Sequence, residues 1–356
     1  MSLKDYGWTS VFAEHFSPYA RQGLEAGRVV LAQGQILRLQ TAAGEVAAEV
    51  SGRLRREGEE NPERLPAIGD WVVVETAPGG GTARVRAVLP RRSKLSRKVA
   101  GARAREQVVA ANLDTVFLVM GLDGDFNLRR IERLLVMAWE SGARPVAVLN
   151  KADLAGDADE RRREVEAVAP GVPVLLTSAF DAGVREMLAP HLKPGETAAL
   201  VGSSGVGKST LINRLLGREL LATAAVRAGD DRGRHTTTHR QLVRLEGGGL
   251  LIDNPGIREL QLWAADEGLG RAFDEIDDLA AGCRFRDCRH RDEPGCAVRA
   301  AVEDGTLAAE RLANLHSLER ELHHLELRRD QRARRAEKKK VAAIHKAAKR
   351  YKPRFS

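Results

Sequence analysis

Thr197-Ala-Ala-Leu-Val-Gly-Ser-Ser-Gly-Val-Gly-Lys-Ser-Thr210 passes from an apolar run through a glycine-rich turn into residues with helical spacing. Within it, Gly202-Ser203-Ser204-Gly205-Val206-Gly207-Lys208-Ser209 matches G-x-x-x-x-G-K-[ST] in full, in the strand–turn–helix setting this phosphate loop needs. Glycines let backbone N–H groups curl around phosphate oxygens without Cβ clashes. The N-terminus of the next helix adds partial positive charge. Lys208 is expected to reach the β- and γ-phosphates, and the Ser209 hydroxyl to ligate Mg²⁺. Thr210 completes the nucleotide-binding stretch, and a helix is expected over 208–216.

Upstream of this loop, short apolar runs at 116–120, 145–149 and 172–176 alternate with helical patterns at 128–139, 157–168 and 181–188. Leu250-Leu-Ile-Asp253 closes the series. Strands interleaved with helices predict a parallel α/β sheet covered on both faces. Asn150-Lys151-Ala152-Asp153 ends one of these strands and has the Asn-Lys-x-Asp pattern that reads guanine. The Asp153 carboxylate would accept from guanine N1–H and the exocyclic amine. Adenine lacks that donor pair, so ATP would leave the carboxylate unpaired. The Lys151 stem would pack over the base. A backbone N–H at Ser178 or Ala179, after the next strand, would donate to guanine O6.

Asp253-Asn-Pro-Gly256 follows the last strand. Asp253 would hold Mg²⁺ through water, and the Gly256 N–H would meet the γ-phosphate. Between it and the phosphate loop lies Gly229-Asp-Asp-Arg-Gly-Arg-His-Thr-Thr-Thr-His239, where Thr237 or Thr238 would ligate Mg²⁺ as a first switch. The order is inverted relative to ordinary GTPases, because the guanine reader precedes the phosphate loop. Such permutation is tolerated where the original termini lie close together. The segment after Gly256 leads into the cysteine region, so switch movement is expected to reach it. Ile257 stands where many GTPases carry a water-orienting Gln. The expected intrinsic rate is therefore slow, and His235 is the candidate for the missing group.

Farther out, 28–98 holds four or five short β-like runs in about 70 residues, which suits a small closed barrel of the OB type. Arg91-Arg-Ser-Lys-Leu-Ser-Arg-Lys98 puts five cations in eight residues at its end. In the C-terminal part, Cys283, Cys288, His290 and Cys296 hold every cysteine of the chain. Three thiolates and an imidazole form a closed tetrahedral Zn²⁺ set, structural rather than catalytic. Arg284, Arg286, Arg289 and Arg291 surround it. Leu312, Leu315, Leu318, Leu322 and Leu325 predict an amphipathic helix packed on the rest of its domain, with His316, His323 and His324 on its solvated face.

The 356 residues carry a net charge of +8. From Arg328 onward there are 13 Lys/Arg against 2 acids, so the tail holds 13 − 2 = +11 and the remainder 44 − 47 = −3. A cationic tail of this density points to a polyanion such as nucleic acid. No apolar run is long enough for a membrane span, and no signal peptide is expected. Three clustered cysteines argue against a secreted disulfide framework.

Together these motifs resemble the ribosome small-subunit-dependent GTPase A family of circularly permuted GTPases. The resemblance implies an OB barrel within 1–105, a permuted P-loop GTPase domain within 106–270, and a zinc-knuckle helical domain with a basic tail within 271–356. It implies a cytoplasmic, monomeric GTPase that binds GTP and GDP. It also implies that small ribosomal subunits and their rRNA bind it late in maturation and stimulate it. Two rivals stay open on the residues alone: a signalling GTPase, and an RNA-binding protein whose nucleotide is only a structural ligand.

Overall fold

The computed structural model describes residues 2–33, 36–76, 81–98, 106–178, 181, 183–217, 240–253 and 265–329. Ahead of the expected strands stands a helix that the pattern did not predict, α1 (Ser10–Ala20). Its weakly periodic pattern contains Pro18, and it is held by aromatic packing instead. Phe12 is buried, with Trp8 edge-on to Trp71 at 4.6 Å between ring centroids.

Next come β1 (Glu25–Gln33), β2 (Ile36–Thr41), β3 (Gly44–Val50), β4 (Trp71–Glu75) and β5 (Ala83–Val88). The pairs β1–β2 and β2–β3 are antiparallel, β3–β5 is parallel, and β5–β4 and β4–β1 are antiparallel. The circuit 1-2-3-5-4-1 closes a five-stranded barrel, as the spacing of short strands predicts. Val29, Leu39, Val72, Val74 and Val85 fill its inside. Helix α2 (Gly52–Glu60) bridges β3 and β4, capped by Ser51 Oγ accepting from the Leu54 N–H. Its sequence is nearly all polar and buries only Leu54 and Gly58, so no apolar stripe announces it.

The basic run Arg91–Lys98 is not a free loop. Lys94–Lys98 forms β6, paired with β7 (Glu106–Ala111). Arg91 grips buried Asp70 through two hydrogen bonds of 2.8 and 2.7 Å, Arg92 pairs with Asp114 at 3.2 Å, and Lys94 bonds Glu63 and Glu106. Arg91 is thereby largely buried against the barrel, while Arg92 reaches Asp114 just ahead of the α/β half and, like Lys94, stays partly exposed.

The second half of the sheet is built from β8 (Thr115–Gly121), β9 (Arg144–Asn150), β10 (Val174–Thr177), β11 (Thr197–Val201), β12 (Arg240–Arg244) and β13 (Leu250–Asp253). Its order is β10-β9-β8-β11-β13-β12, parallel except for β12, which runs antiparallel to β13. The sheet is therefore mixed rather than wholly parallel. β12 also pairs with β1, Leu31 facing Gln241 and Ala32 facing Arg240, so one sheet of eleven strands runs through both halves.

Alternate residues of β8 serve opposite faces, as strand geometry requires. Val116, Leu118 and Met120 join the core beneath α3 (Leu128–Glu140) and α4 (Ala158–Val168), whereas Phe117 and Val119 pack under α5 (Val184–Leu188) and α6 (Lys208–Leu216). Four more helices lie on the α3 side: α7 (Asp266–Ala272), α8 (Asp274–Ala280), α9 (Ala297–Glu303) and α10 (Ala309–Arg329). The predicted leucine stripe of α10, Leu312 to Leu325, is buried in that same core. Among the described residues no helix is long and apolar enough to cross a membrane.

Buried Arg28 locks the halves together. Its guanidinium donates to the Gly69 carbonyl at 3.2 Å, the Thr197 hydroxyl at 2.8 Å and the Asn112 carbonyl at 3.3 Å. Burial pulls its pKa down to about 10, and the group stays cationic at neutral pH. Thr197 opens β11, the strand that delivers the glycine loop.

Candidate functional site

The carboxyl ends of the parallel strands form the usual ligand edge of an α/β sheet. β11 ends at Val201 and hands over to Gly202-to-Ser209. Gly202 sits so close to β8 that a Cβ there would overlap the Val119 carbonyl. Gly207 adopts φ 98° and a Cβ on it would overlap the Asn150 side-chain amide. These two contacts explain glycine at the two fixed positions of the motif. Helix α6 starts at Lys208, with Ser209 and Thr210 in its first turn and Val206 buried beneath the loop.

Asn150, at the end of β9, is fully buried. Its Nδ2 donates to the Val206 carbonyl at 2.8 Å, and its Oδ1 accepts from the Thr177 hydroxyl at 3.3 Å. One amide thus ties the Asn-Lys-Ala-Asp turn, the strand end before Ser178, and the glycine loop into one edge. Asp153 lies in the single 3-10 turn Ala152–Leu154, and Asp253 ends β13 beside β11. The Lys208 ammonium donates to the carbonyls of Gly202 (2.7 Å) and Ser203, folded over its own loop. Ala179, His235, Thr237, Thr238, Gly256 and Ile257 lie outside the described residues, as does the basic tail beyond Arg329.

Lys151 has left-handed backbone, φ 65°, and its ammonium is 2.5 Å from Asp123 Oδ2. That hydrogen bond holds the Asp123 carboxyl below the usual carboxylate range. Asp123 stands in the loop after β8, which Arg161 of α4 secures by donating to the Leu122 carbonyl at 2.8 Å and covering the Phe126 ring. Sequence reasoning missed Asp123, because an aspartate in a Gly-Leu-Asp-Gly turn carries no motif. A charged hydrogen bond contributes about 1.5–3 kcal/mol, less where solvent reaches it. Asp123→Asn should therefore weaken GTP and GDP binding about fivefold to tenfold and leave turnover at saturating GTP unchanged. Calorimetric titration checks this; wild-type affinity would mean that Lys151 is positioned without Asp123.

The second site is the cysteine cluster. The Cys283 and Cys296 sulfurs lie 3.9 Å apart, and His290 Nδ1 lies 3.6 and 3.4 Å from them. All four donor atoms, including Cys288 Sγ, fall within 4.8 Å of one another. Tetrahedral Zn²⁺ with ordinary bond lengths would set the sulfurs ~3.8 Å apart and sulfur to nitrogen ~3.6 Å. The group fits a metal ion of that kind. His290 reaches it through left-handed backbone, φ 57°, and Cys296 Sγ also accepts from the Arg299 N–H at the start of α9. The Glu293 carboxylate takes the backbone N–H groups of Arg289, Arg291 and Asp292, the Arg291 bond foremost, which lowers its pKa to about 2. His316 is not simply solvated: its Nε2 meets the Arg289 carbonyl at 3.1 Å, tying α10 to the knuckle.

The C-terminal helices are fastened to α3 by a buried charge cluster that the sequence did not reveal. Arg311 of α10 donates to Glu132 of α3 at 2.6 Å and to the Ala272 carbonyl at 2.6 Å. It also pairs with Glu275 and stacks on Phe273, while Asn314 donates to the other Glu132 oxygen.

Residues 88–263 match the family model described as RsgA GTPase. A relative from Opitutus terrae, a small ribosomal subunit biogenesis GTPase RsgA, is 48% identical over 354 residues, 97% of this chain and 96% of the relative. A relative of the same name from Methanosarcina acetivorans is 48% identical over 89% of this chain and 84% of its own length. Among solved structures, YjeQ from Thermotoga maritima is 30% identical with a TM-score of 0.62, covering 84% of this chain and 98% of YjeQ. YloQ, a circularly permuted GTPase, is 24% identical with a TM-score of 0.57 and bears on the fold alone.

Proposed function

We propose, since the chain belongs to the RsgA GTPase family, that its GTP hydrolysis serves the late maturation of the small ribosomal subunit. The chain is a GTP hydrolase. The nucleotide half of the reading rests on the Asn150–Val206 hydrogen bond. It joins a guanine reader to a phosphate loop that comes after it in sequence. The ribosomal half rests on the named role of the relatives.

In this reading the N–H groups of Gly202 to Thr210 cradle the phosphates. Lys208 leaves the carbonyls of Gly202 and Ser203 for the β- and γ-oxygens, and the Gly256 N–H meets the γ-phosphate. Asp153 accepts from the guanine edge, Lys151 covers the base, and Ser178 and Ala179 turn backbone toward O6. Ser209, Asp253 and either Thr237 or Thr238 would hold Mg²⁺, which neutralises charge on the transferring phosphoryl group. His235 orients or activates the attacking water in place of Ile257. The protein acts as a cytoplasmic monomer, and hydrolysis releases it from the subunit.

Cys283, Cys288, His290 and Cys296 would hold one Zn²⁺, with no open position left for chemistry. A chelator should then lower the melting temperature and release one zinc per chain by elemental analysis. An unchanged melt with no zinc found would refute the site.

The deciding experiment is GTP turnover by the protein alone, with small subunits, and with large subunits, across a salt series. A large rise with small subunits only, fading as salt increases, is the expected result. No rise with either subunit would detach the ribosome from the mechanism and leave a GTPase with another activator.

A further inference from the structure

Phe285 stands out on the metal knuckle. Among the described residues the exposed large apolar side chains are Val11, Ile36, Leu154 and Phe285, and Phe285, 41% exposed, is the aromatic one of the four. It lies between two metal-ligand candidates, Cys283 and Cys288, on a turn whose backbone is tied down. The Cys288 N–H donates to the Phe285 carbonyl at 3.3 Å and the Arg284 N–H to the Gly295 carbonyl at 3.0 Å. The Arg284 stem rests against Gly295, where an added Cβ would come within 3.1 Å of it, and its guanidinium sits over the ring at 5.5 Å.

Arg284 and Arg286 stand on either side of Phe285 in the chain. Arg91, Arg92, Arg130, Arg133, Arg144 and Arg311 each bond a carboxylate. Among the described residues, Arg284, Arg286, Arg289 and Arg291 pair with none. The Glu293 carboxylate, held by the backbone N–H groups of Arg289, Arg291 and Asp292, sets its negative charge at that end of the knuckle. A partly exposed ring with one unpaired guanidinium over it and another arginine next in the chain is what a nucleobase with its adjoining phosphates would complement. A duplex hides its base faces, whereas an unpaired strand offers them. An acidic peptide would satisfy the arginines and leave the ring exposed.

We propose that Phe285 is a stacking platform for an unpaired RNA base, with the adjoining phosphates held by its chain neighbours Arg284 and Arg286. This rests on the RNA-partner reading above and specifies which form of RNA the knuckle takes. The ring stays at the surface because the metal-ligand turn, rather than an apolar core, holds its backbone.

The test uses the full chain with its zinc content verified, and an unstructured RNA decamer carrying 2-aminopurine. Wild type should quench the 2-aminopurine on binding. Phe285→Ala should lose the quench and about 10- to 100-fold in affinity at fixed salt, and Phe285→Trp should keep both. Arg286→Ala should lower the salt slope by about one without removing the quench. Three results would overturn the proposal: equal quench and affinity in Phe285→Ala, a duplex of the same sequence bound equally well, or equal competition by polyglutamate. Subunit-stimulated turnover is measured in parallel. If it is present while the quench is absent, stacking falls and the ribosomal reading stands. If wild type is not stimulated, the ribosomal reading falls.

Discussion

Replacing Arg311 with leucine should lower the melting temperature by about 10 °C and loosen the C-terminal helices from α3. Arg311 and Glu132 are both almost fully buried and 2.6 Å apart. Removing one partner of such a pair strands the other charge in a low-dielectric interior, at a cost of about 3–5 kcal/mol. Asn314 would remain as a single neutral donor to Glu132, far short of replacing a guanidinium. For a unit of this size each kcal/mol shifts Tm by about 2–4 °C, which gives the stated drop. The reverse comparison isolates the cause. Replacing both residues by leucine removes the buried Glu132 charge as well, which is often near neutral for an isolated pair, but it leaves Glu275 and Asn314 without these partners. The double variant should therefore recover part of the loss in a thermal melt. A single variant within about 1 °C of wild type, or a double variant no better than the single, would mean that the cluster does not hold the C-terminal helices. The consequence extends beyond stability, because α3 follows the loop that carries Asp123, and Asp123 holds Lys151. The knuckle end is thus linked to the base site through packed structure, in addition to the chain segment after Asp253.

Gly207→Ala should cost about 100-fold or more in GTP and GDP affinity. The backbone at φ 98° suits glycine, and an alanine there carries strain of about 1–3 kcal/mol. The new methyl would also overlap Asn150 Nδ2 and break its bond to the Val206 carbonyl. A buried polar group left unpaired costs about 1–3 kcal/mol more. Both costs fall on the conformation in which glycine loop and guanine reader are joined. Gly205→Ala is the control. Gly205 also has positive φ, 85°, but a Cβ on it would meet nothing within 4 Å. It bears strain alone and should lose about tenfold. Equilibrium titration with labelled GDP and GTP separates the two. Affinity within threefold of wild type in Gly207→Ala would show that the contact with Asn150 is not needed for binding.

Several elements were legible locally. The helix Lys208–Leu216 and the strand Leu250–Asp253 fall where the pattern predicts them. Each is bounded by glycine or a polar turn and has an unbroken apolar period. Helices α1 and α2 were not legible. The first depends on aromatic contacts with Trp71, far along the chain, and the second buries only two of its nine residues. Strand β12 is five residues with arginine at both ends, and it is a strand because β13 and β1 pair with it from either side. His316 looked like any histidine on a polar helix face until the fold brought the Arg289 carbonyl to it.

The sequence by itself carried the motifs of the candidate chemistry: those of a phosphate loop, of a guanine reader ahead of it, and of a thiolate–imidazole set that fits a metal. Such chemistry needs particular atoms at fixed short spacing, so it leaves a local signature. Only the tertiary structure decided which charges are structural and which are free. Arg91, Arg92 and Lys94 read as a bare basic run and each bond a carboxylate, whereas among the described residues Arg284 and Arg286, on either side of Phe285 in the chain, pair with none. An arginine's role is set by the carboxylate the fold brings to it. For Arg311 that carboxylate lies 179 residues away in sequence, beyond any local pattern.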